Sequence, residues 1–174
     1  LVQCGINNQG DVCTDIFNSP TGGGGFWPSG TTNQYIFNSG LQIAGINSPD
    51  AGPWARDTVG AYFFDARGTQ AHGTSLSDVY NSLNASDLAN WPTDAFATDT
   101  SLFNAALVGS KVISDQDSWV RYWDGDPNRI SQRSHPMGIR VEQRSLAFNA
   151  PAGAEHTIFF IYRFTNITND PQFQ

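Results

Sequence analysis

Apolar and polar residues alternate at the two-residue spacing of β-strands through the last third of the chain. Strand-type runs rich in aromatic and β-branched residues cover Val112–Ser114, Trp119–Trp123, Gly138–Phe148 and Ile158–Thr168. A segment with the composition of a turn, Asp124–Asn128, separates two of these runs. The pattern predicts antiparallel β-sheet in this part of the chain.

Two of these runs carry a further signal. Ile158–Tyr162 is apolar at every position, which is typical of a central strand that is covered on both faces of its sheet. In the preceding run, Ile139 and Val141 share one face, whereas Leu146 falls on the other. This change of phase predicts a β-bulge near Glu142–Ser145.

The first half of the chain has shorter strand signals. Gln34–Phe37 and Leu41–Ala44 flank Asn38-Ser-Gly40, a turn sequence that predicts a β-hairpin. Thr58–Asp65 is a further apolar run of strand type.

The middle of the chain changes to helical spacing. Leu76, Val79, Tyr80 and Leu83 recur at i, i+3, i+4 and i+7, which predicts a short amphipathic helix. A further helical turn over 86–91 would end at Pro92. Together these signals predict a mainly β fold, an antiparallel β-sandwich with a small helical insertion around residues 75–91.

The N-terminal segment is richer in glycine and polar residues than the rest. We expect residues 1–25 to form an irregular arm with a glycine hinge, and residues 26–174 to form a single β-sandwich domain. Cys4 and Cys13 lie in this arm, as a disulfide or as two free thiols. A disulfide is the expected state, because few cytosolic proteins retain free thiols in such a stretch, and it predicts an extracytoplasmic protein.

The charge of the chain excludes several classes of partner. The formal net charge is −7 over 174 residues, which disfavours binding to nucleic-acid phosphates and to anionic membrane surfaces. No apolar run approaches the roughly 20 residues that a membrane-spanning helix needs. We therefore expect neither a nucleic-acid partner nor a membrane span.

An acidic turn offers the one candidate metal site. Asp124, Asp126 and Asn128 alternate like the opening ligands of a calcium-binding loop. Arg129 and His135 then occupy positions where that loop needs Gly and Glu, so the pattern is incomplete. The competing interpretation is a polar turn whose residues are chosen for backbone conformation. Apart from calcium at these residues, we expect no cofactor.

Aromatic residues on one strand offer a candidate ligand platform. Trp119, Arg121 and Trp123 share one face of their strand, where two indole rings and a guanidinium suit carbohydrate binding or a protein interface. The competing interpretation is that these side chains belong to the core.

Residue types used in catalysis are scattered. The only glutamates, Glu142 and Glu155, fall at the predicted bulge and in a turn, and neither lies at a strand end suited to glycoside hydrolysis. The histidines belong to no zinc or nucleophile motif. We therefore expect that the protein is not an enzyme.

Several strings together carry a family resemblance. They are Trp91-Pro-Thr-Asp94, Ser114-Asp-Gln-Asp-Ser-Trp119, Asp124-Gly-Asp-Pro127, Pro136-Met-Gly-Ile-Arg-Val-Glu142 and Ile158-Phe-Phe-Ile-Tyr-Arg-Phe-Thr-Asn166. With them, residues 26–168 resemble a recurring N-terminal, β-rich region of large secreted bacterial proteins, which often end in sorting or immunoglobulin-like domains. The resemblance implies export and β-structure, and it transfers no catalytic residue.

These observations lead to one main functional hypothesis. The protein is expected to be a non-catalytic, extracytoplasmic structural or interaction subunit that binds other protein subunits in a larger assembly. One alternative is a carbohydrate- or calcium-binding module that uses Trp119, Trp123 and the acids of residues 115–128. A second alternative is a periplasmic accessory subunit of a membrane-bound complex, for example a photosynthetic one.

Overall fold

The computed structural model describes somewhat more than half of the chain. The described residues are 1–8, 10–13, 24–37, 39–46, 58–60, 64–65, 79–93, 97, 112–124 and 137–167. Asp126, Asn128 and His135, as well as most of the predicted glycine hinge, lie outside these residues.

Short strands precede three long ones along the chain. In order, the elements are β1 Gln3–Cys4, β2 Asp11–Val12, β3 Gly25–Phe26, β4 Gln34–Ile36, β5 Ser39–Gly40, β6 Ala44–Ile46, β7 Thr58–Gly60, β8 Phe64–Asp65, β9 Tyr80–Asn81, α1 Ala85–Ala89, β10 Gln116–Trp123, β11 Ile139–Ala147 and β12 Ile158–Asn166. A single turn of 3₁₀ helix, Ala154–His156, leads into β12. The structure confirms a mainly β, antiparallel architecture with one short helix among the described residues.

The last three strands form the largest part of a five-stranded main sheet. Its order is β12-β11-β10-β8, and β9 also pairs with β10. β10 and β11 are antiparallel from Gln116↔Ala147 to Trp123↔Arg140, without a register shift. β11 and β12 are antiparallel and equally regular along all nine residues of each strand. The strands predicted from the alternating pattern are therefore present and adjacent.

The main sheet has one apolar and one ionic face. Directly opposite residues of an antiparallel pair share a face of the sheet. The register therefore assigns each side chain to one of the two faces. The apolar face carries Val120, Tyr122 and Val141 at its centre, and the ionic face carries Arg121, Glu142 and Arg144.

Other parts of the chain cover both faces of β10 and β11. Ile6, Leu41 and Ile43 pack against the cluster that contains the apolar face. On the ionic face, Trp119 packs with Trp91 and Tyr80 from the segment that contains α1. The two long central strands are therefore buried on each side.

The N-terminal arm is tied to strands that follow it. β1 pairs with β3, and β2 pairs with β5, in two separate small sheets. A disulfide joins Cys4 and Cys13, whose Cα atoms lie 4.3 Å apart, so the expected disulfide is confirmed. No described residue tests the boundary between an arm and a domain at residue 25, and that division stays a prediction.

The helical insertion is shorter than its apolar spacing predicts. α1 covers only Ala85–Ala89, and the Asn84 side chain caps it by accepting a hydrogen bond from the Ser86 N–H. The predicted helical turn near 86–91 is thus confirmed. The predicted amphipathic helix is wrong at Tyr80, which lies in β9 and pairs with Trp119. Pairing with β10 overrides the local helical spacing.

Two further local predictions are wrong. The predicted β-bulge near Glu142–Ser145 is absent, because β11 is regular through these residues. The apolar phase changes there because charged residues are buried on the ionic face. The predicted hairpin around Asn38-Ser-Gly40 is also absent among the described strands: β4 pairs with β3, and β5 pairs with β2.

Candidate functional site

β12 lies at the edge of the main sheet. Along its nine residues it pairs with β11, from Ile139↔Asn166 to Ala147↔Ile158, and with no other strand among the described residues. Among the described strands β12 therefore has an edge position, and they do not provide the second neighbour that a central strand at Ile158–Tyr162 would have. The outer side of an edge strand is where a strand from another chain can add to a sheet.

The side chains of β12 are only partly covered. Most of β11 is buried, whereas no residue of β12 is. Phe164 on the apolar face is 50% exposed, and Phe159 on the ionic face is 49% exposed. Natural edge strands are usually short, charged or interrupted by proline. β12 is long, carries aromatic side chains on both faces and has a single charged residue, Arg163.

The apolar face of β12 carries a row of rings. Phe160, Tyr162 and Phe164 lie opposite Ser145, Gln143 and Val141 of β11. The rings of Tyr162 and Phe164 stack with centroids 6.3 Å apart. Burial raises the pKa of Tyr162, so its hydroxyl stays neutral and can remain against apolar neighbours.

An ion-pair network fixes β12 to β11 on the ionic face. Glu142 of β11 accepts hydrogen bonds from Arg121 of β10 at 2.5 Å and from Arg163 of β12 through its other carboxylate oxygen. Glu142 is buried, whereas the Arg163 side chain is 37% exposed. One carboxylate thereby holds three neighbouring strands in register.

A second buried pair lies further along the same face. Arg144 donates to Asp117 at 2.7 Å. The Asp117 carboxylate also accepts the backbone N–H groups of Ile113 at 3.1 Å and Ser114 at 2.8 Å, and the Ser114 hydroxyl. Asp117 thus accepts hydrogen bonds from several donors at the start of β10, and its role is structural.

Asp124, the first residue of the predicted calcium loop, closes the end of the β10–β11 pair. Its two carboxylate oxygens accept the backbone N–H groups of Met137 at 2.5 Å and Ile139 at 2.8 Å. Burial raises the pKa of Asp124, and these hydrogen bonds offset part of that increase. The described residues contain no group of acidic, histidine or cysteine side chains that could hold a metal. Calcium binding at Asp124, Asp126 and Asn128 remains a prediction from sequence.

The predicted ligand platform is buried within the chain. Trp119, Arg121 and Trp123 lie on the ionic face, and their side chains are almost fully covered. The Arg121 guanidinium lies over the Trp119 ring, 5.1 Å from its centroid. This arrangement supports the core interpretation of these residues and does not present an exposed platform.

The other residues considered for catalysis have structural contacts. His156 accepts a hydrogen bond from the Trp27 indole N–H at 3.1 Å, which links β3 to the turn before β12. Glu155 is solvent-facing in the same turn, and backbone hydrogen bonds lower its pKa. Glu155 also forms an ion pair with His156 at 3.5 Å, and Glu155 and Asp115 both line the cavity described next. Each of these two carboxylates accepts a backbone N–H, Glu155 from Gly153 and Asp115 from Asn149.

A cavity separates the N-terminal arm from the start of β12. Its volume is about 440 Å³, and its lining includes Cys4 and Ile6 of the arm, Ser118 and Ser145 of the main sheet, and Ile158. The sequence contains no signal for this cavity, because it depends on how the arm folds back over the sheet. Its position makes the packing of the arm relevant to β12.

Comparisons with known proteins do not assign a function to this chain. The chain matches no protein-family model, no curated protein and no solved structure. Among the described residues, no helix has the length and apolar character needed to cross a membrane.

Proposed function

We propose that the protein is a non-catalytic, extracytoplasmic interaction subunit that joins a larger assembly through the outer side of β12, which pairs with no second strand among the described residues. A strand from a partner adds to the main sheet beside β12, in the manner of β-augmentation. Backbone hydrogen bonds supply affinity, and the aromatic side chains on the two faces supply selectivity.

The main support for this proposal is that the apolar pattern of β12 does not match the position of the strand in the sheet. Ile158–Tyr162 has the both-face apolar pattern of a central strand, yet among the described strands β12 lies at the sheet edge. A neighbour on the outer side of β12 would make the strand central. It would also cover Phe159 and Phe164, which the single chain leaves half exposed.

The architecture supports a docking role for this edge. The network of Arg121, Glu142 and Arg163 joins β12 to the rest of the sheet. A strand that is already ordered before binding loses little conformational entropy when a partner binds, so more of the interaction energy remains as affinity. The proposed function therefore needs no rearrangement of the main sheet.

The disulfide supports the extracytoplasmic part of the proposal. Cys4 and Cys13 are joined in the structure, and disulfides persist mainly in oxidising compartments. The same bond closes the loop that brings β1 and β2 to their partner strands.

Site-specific photo-crosslinking in the cells that make the protein tests the proposed edge. A photoreactive phenylalanine analogue is placed at Phe159 or Phe164, one on each face of β12. We expect both positions to crosslink to protein, because a strand beside β12 would lie within reach of either side chain. Mass spectrometry of the crosslinked species identifies whether the second component is another copy of the chain or a different protein.

Leu88 on α1 provides the matched control. It is apolar and 38% exposed, but it lies on a helix away from the β12 edge. Crosslinks at Phe159 and Phe164 that exceed those at Leu88 support the proposal. If the β12 positions give no more crosslinked protein than Leu88 does, the docking role of this edge is wrong.

A further inference from the structure

Two large aromatic side chains are exposed together where β3 leads into β4. Trp27 directly follows β3 and is 44% exposed, and Tyr35 of β4 is 65% exposed. Their rings contact each other with centroids 6.2 Å apart and an interplanar angle of 65°. Tryptophan is highly buried on average, and exposed aromatic rings are typical of the surfaces that proteins use to bind ligands.

The Trp27 ring is held in one orientation. Its indole N–H donates to Nδ1 of His156 at 3.1 Å, and the two rings pack edge to face. Since Nδ1 accepts this bond, a neutral His156 carries its proton on Nε2, which faces Glu155 at 3.5 Å. The backbone N–H of Trp27 donates to the Asn33 carbonyl at 3.2 Å. A ring that is already ordered loses little conformational entropy when a ligand stacks on it.

The rings border the cavity between the N-terminal arm and the main sheet. Glu155 and Thr157 line this cavity, and they flank His156 in the chain. Ser29, two residues after Trp27, lines it as well. The volume of about 440 Å³ falls within the range of about 300–1,000 Å³ that is usual for small-molecule sites. Trp27 and its histidine partner are therefore next to a space large enough for a small ligand.

The cavity lining supplies hydrogen-bonding groups of a particular kind. Amide and carboxylate side chains come from the arm, from the start of β10 and from the turns on either side of the β11–β12 connection. They are Gln3, Asp115, Gln116, Asn149 and Glu155. Such planar groups make two hydrogen bonds side by side, which suits the adjacent hydroxyl groups of a sugar. Aromatic rings complement the apolar C–H face of the same sugar.

Charge and ring geometry narrow the class of saccharide. Among the described lining residues, the charged side chains are Asp115 and Glu155, which would repel an anionic sugar. Two rings at 65° form a corner, which suits one sugar ring of a soluble oligosaccharide better than the flat face of an insoluble polysaccharide. Backbone hydrogen bonds lower the pKa of Glu155, so its carboxylate stays ionised. It is therefore suited to accept hydroxyl groups and not to act as the general acid of glycoside hydrolysis.

We propose that Trp27, Tyr35 and Glu155 form a binding site for a neutral oligosaccharide, with one sugar ring on Trp27 and neighbouring units in the cavity. The rings at Trp119 and Trp123, from which the sequence predicts a carbohydrate platform, are buried. The exposed rings with this chemistry lie instead on the β3–β4 segment. This site does not depend on the docking role of β12, and together the two would connect a glycan to a protein assembly.

Isothermal titration calorimetry with tetrasaccharides of defined composition tests the site. The neutral probes are tetramers of β-linked glucose, β-linked N-acetylglucosamine, β-linked mannose and α-linked glucose, and the anionic probe is tetragalacturonate. We expect at least one neutral tetramer to bind one molecule per chain. Trp27→Ala and Tyr35→Ala should each weaken this binding at least about tenfold, as is usual for an aromatic side chain at the centre of a binding site.

Phe37→Ala is the matched control. Phe37 directly follows β4 and is 77% exposed, more than either ring of the proposed site, so its loss should leave the affinity unchanged. Trp27→Phe keeps a ring but loses the indole N–H that bonds to His156. Its affinity should lie between those of Trp27→Ala and the unmodified chain. Circular dichroism confirms that each variant is folded.

NMR of the unmodified chain locates the ligand without altering the site. The chain has five tryptophans, and isotopic labelling of nitrogen gives an indole N–H signal for each. The signal that disappears in Trp27→Phe belongs to Trp27. We expect the bound tetramer to shift this signal and to leave those of the buried Trp119 and Trp123 in place.

The possible results distinguish this proposal from its alternatives. If no neutral tetramer binds, or if Trp27→Ala and Tyr35→Ala bind as tightly as the unmodified chain, the proposed site is wrong. Binding of tetragalacturonate or of choline in place of a neutral sugar would also overturn it. Choline is included because aromatic rings attract a quaternary ammonium group. Photo-crosslinking at β12 tests the docking role separately from all of these outcomes.

Discussion

Buried charges are the residue-scale feature that the alternating pattern could not reveal. Glu142 and Arg144 occupy alternate positions on one face of a buried strand, although charged residues are normally found at the solvent-exposed surface. Each is compensated by a partner distant in sequence, Glu142 by Arg121 and Arg144 by Asp117. Because the partners come from another strand, sequence periodicity cannot anticipate the pairing. These pairs cause the change of apolar phase that, in the sequence alone, predicts a β-bulge.

Removing one member of a buried pair should be costly. Arg144→Met leaves the Asp117 carboxylate buried without its cation, although Asp117 keeps its hydrogen bonds to Ile113 and Ser114. We expect the free energy of unfolding to fall by about 3–5 kcal/mol. Urea denaturation followed by circular dichroism measures this loss against the unmodified protein.

Arg163→Met is the matched comparison for that variant. Arg163 is partly exposed, and Glu142 keeps Arg121 when Arg163 is lost. Its replacement should cost about 1 kcal/mol or less, as is usual for ion pairs near the surface. Equal losses for the two variants would show that burial does not determine the energetics of this network.

At the scale of elements, long-range pairing decides which local signals survive. The three long strands and the helical turn over α1 agree with the sequence pattern, because their local preferences and tertiary contacts point the same way. β9 and β5 do not agree with it. The sequence predicts Tyr80 in a helix, but Tyr80 pairs with Trp119 in the sheet. The sequence predicts Gly40 in a hairpin turn, but Gly40 pairs with Asp11. Both exceptions join segments far apart in sequence.

The disulfide is the element-scale feature that holds the arm to its partner strands. Replacing both residues, Cys4→Ser with Cys13→Ser, frees the loop between β1 and β2 in the unfolded chain. We expect the free energy of unfolding to decrease by about 2–3 kcal/mol, the loop-entropy estimate for a bond of this short span. Thermal and urea denaturation of the two proteins measure the difference.

Reductant provides the control for this change. The unmodified protein should become as unstable as the double-serine variant when its disulfide is reduced, and the variant itself should not respond. The main sheet does not contain β1 or β2, so its backbone amides should keep their protection from hydrogen exchange below the unfolding transition. Loss of that protection in the variant would mean that the arm supports the main sheet more extensively.

At the scale of the whole molecule, the net charge opposes the association of two copies of the chain, whereas contacts along β12 would favour it. Each chain carries a formal charge of −7, so two copies repel each other at long range. The aromatic side chains and backbone hydrogen bonds of β12 act only on contact. A partner with a positive net charge would instead be attracted at long range. The sign of the salt dependence therefore distinguishes a second copy from a basic partner.

If the partner at β12 is a second copy of the chain, added salt should strengthen association. Screening shortens the range of repulsion from about 30 Å at 0.01 M salt to about 8 Å at 0.15 M. For two chains of this charge, we expect the dimer dissociation constant to decrease by about tenfold over that range. Sedimentation equilibrium in sodium chloride measures it. A Phe37→Arg variant, which adds one positive charge at an exposed residue outside the main sheet, should show a smaller decrease. A dissociation constant that increases with salt would contradict pairing between two acidic copies, because only attraction between opposite charges weakens on screening.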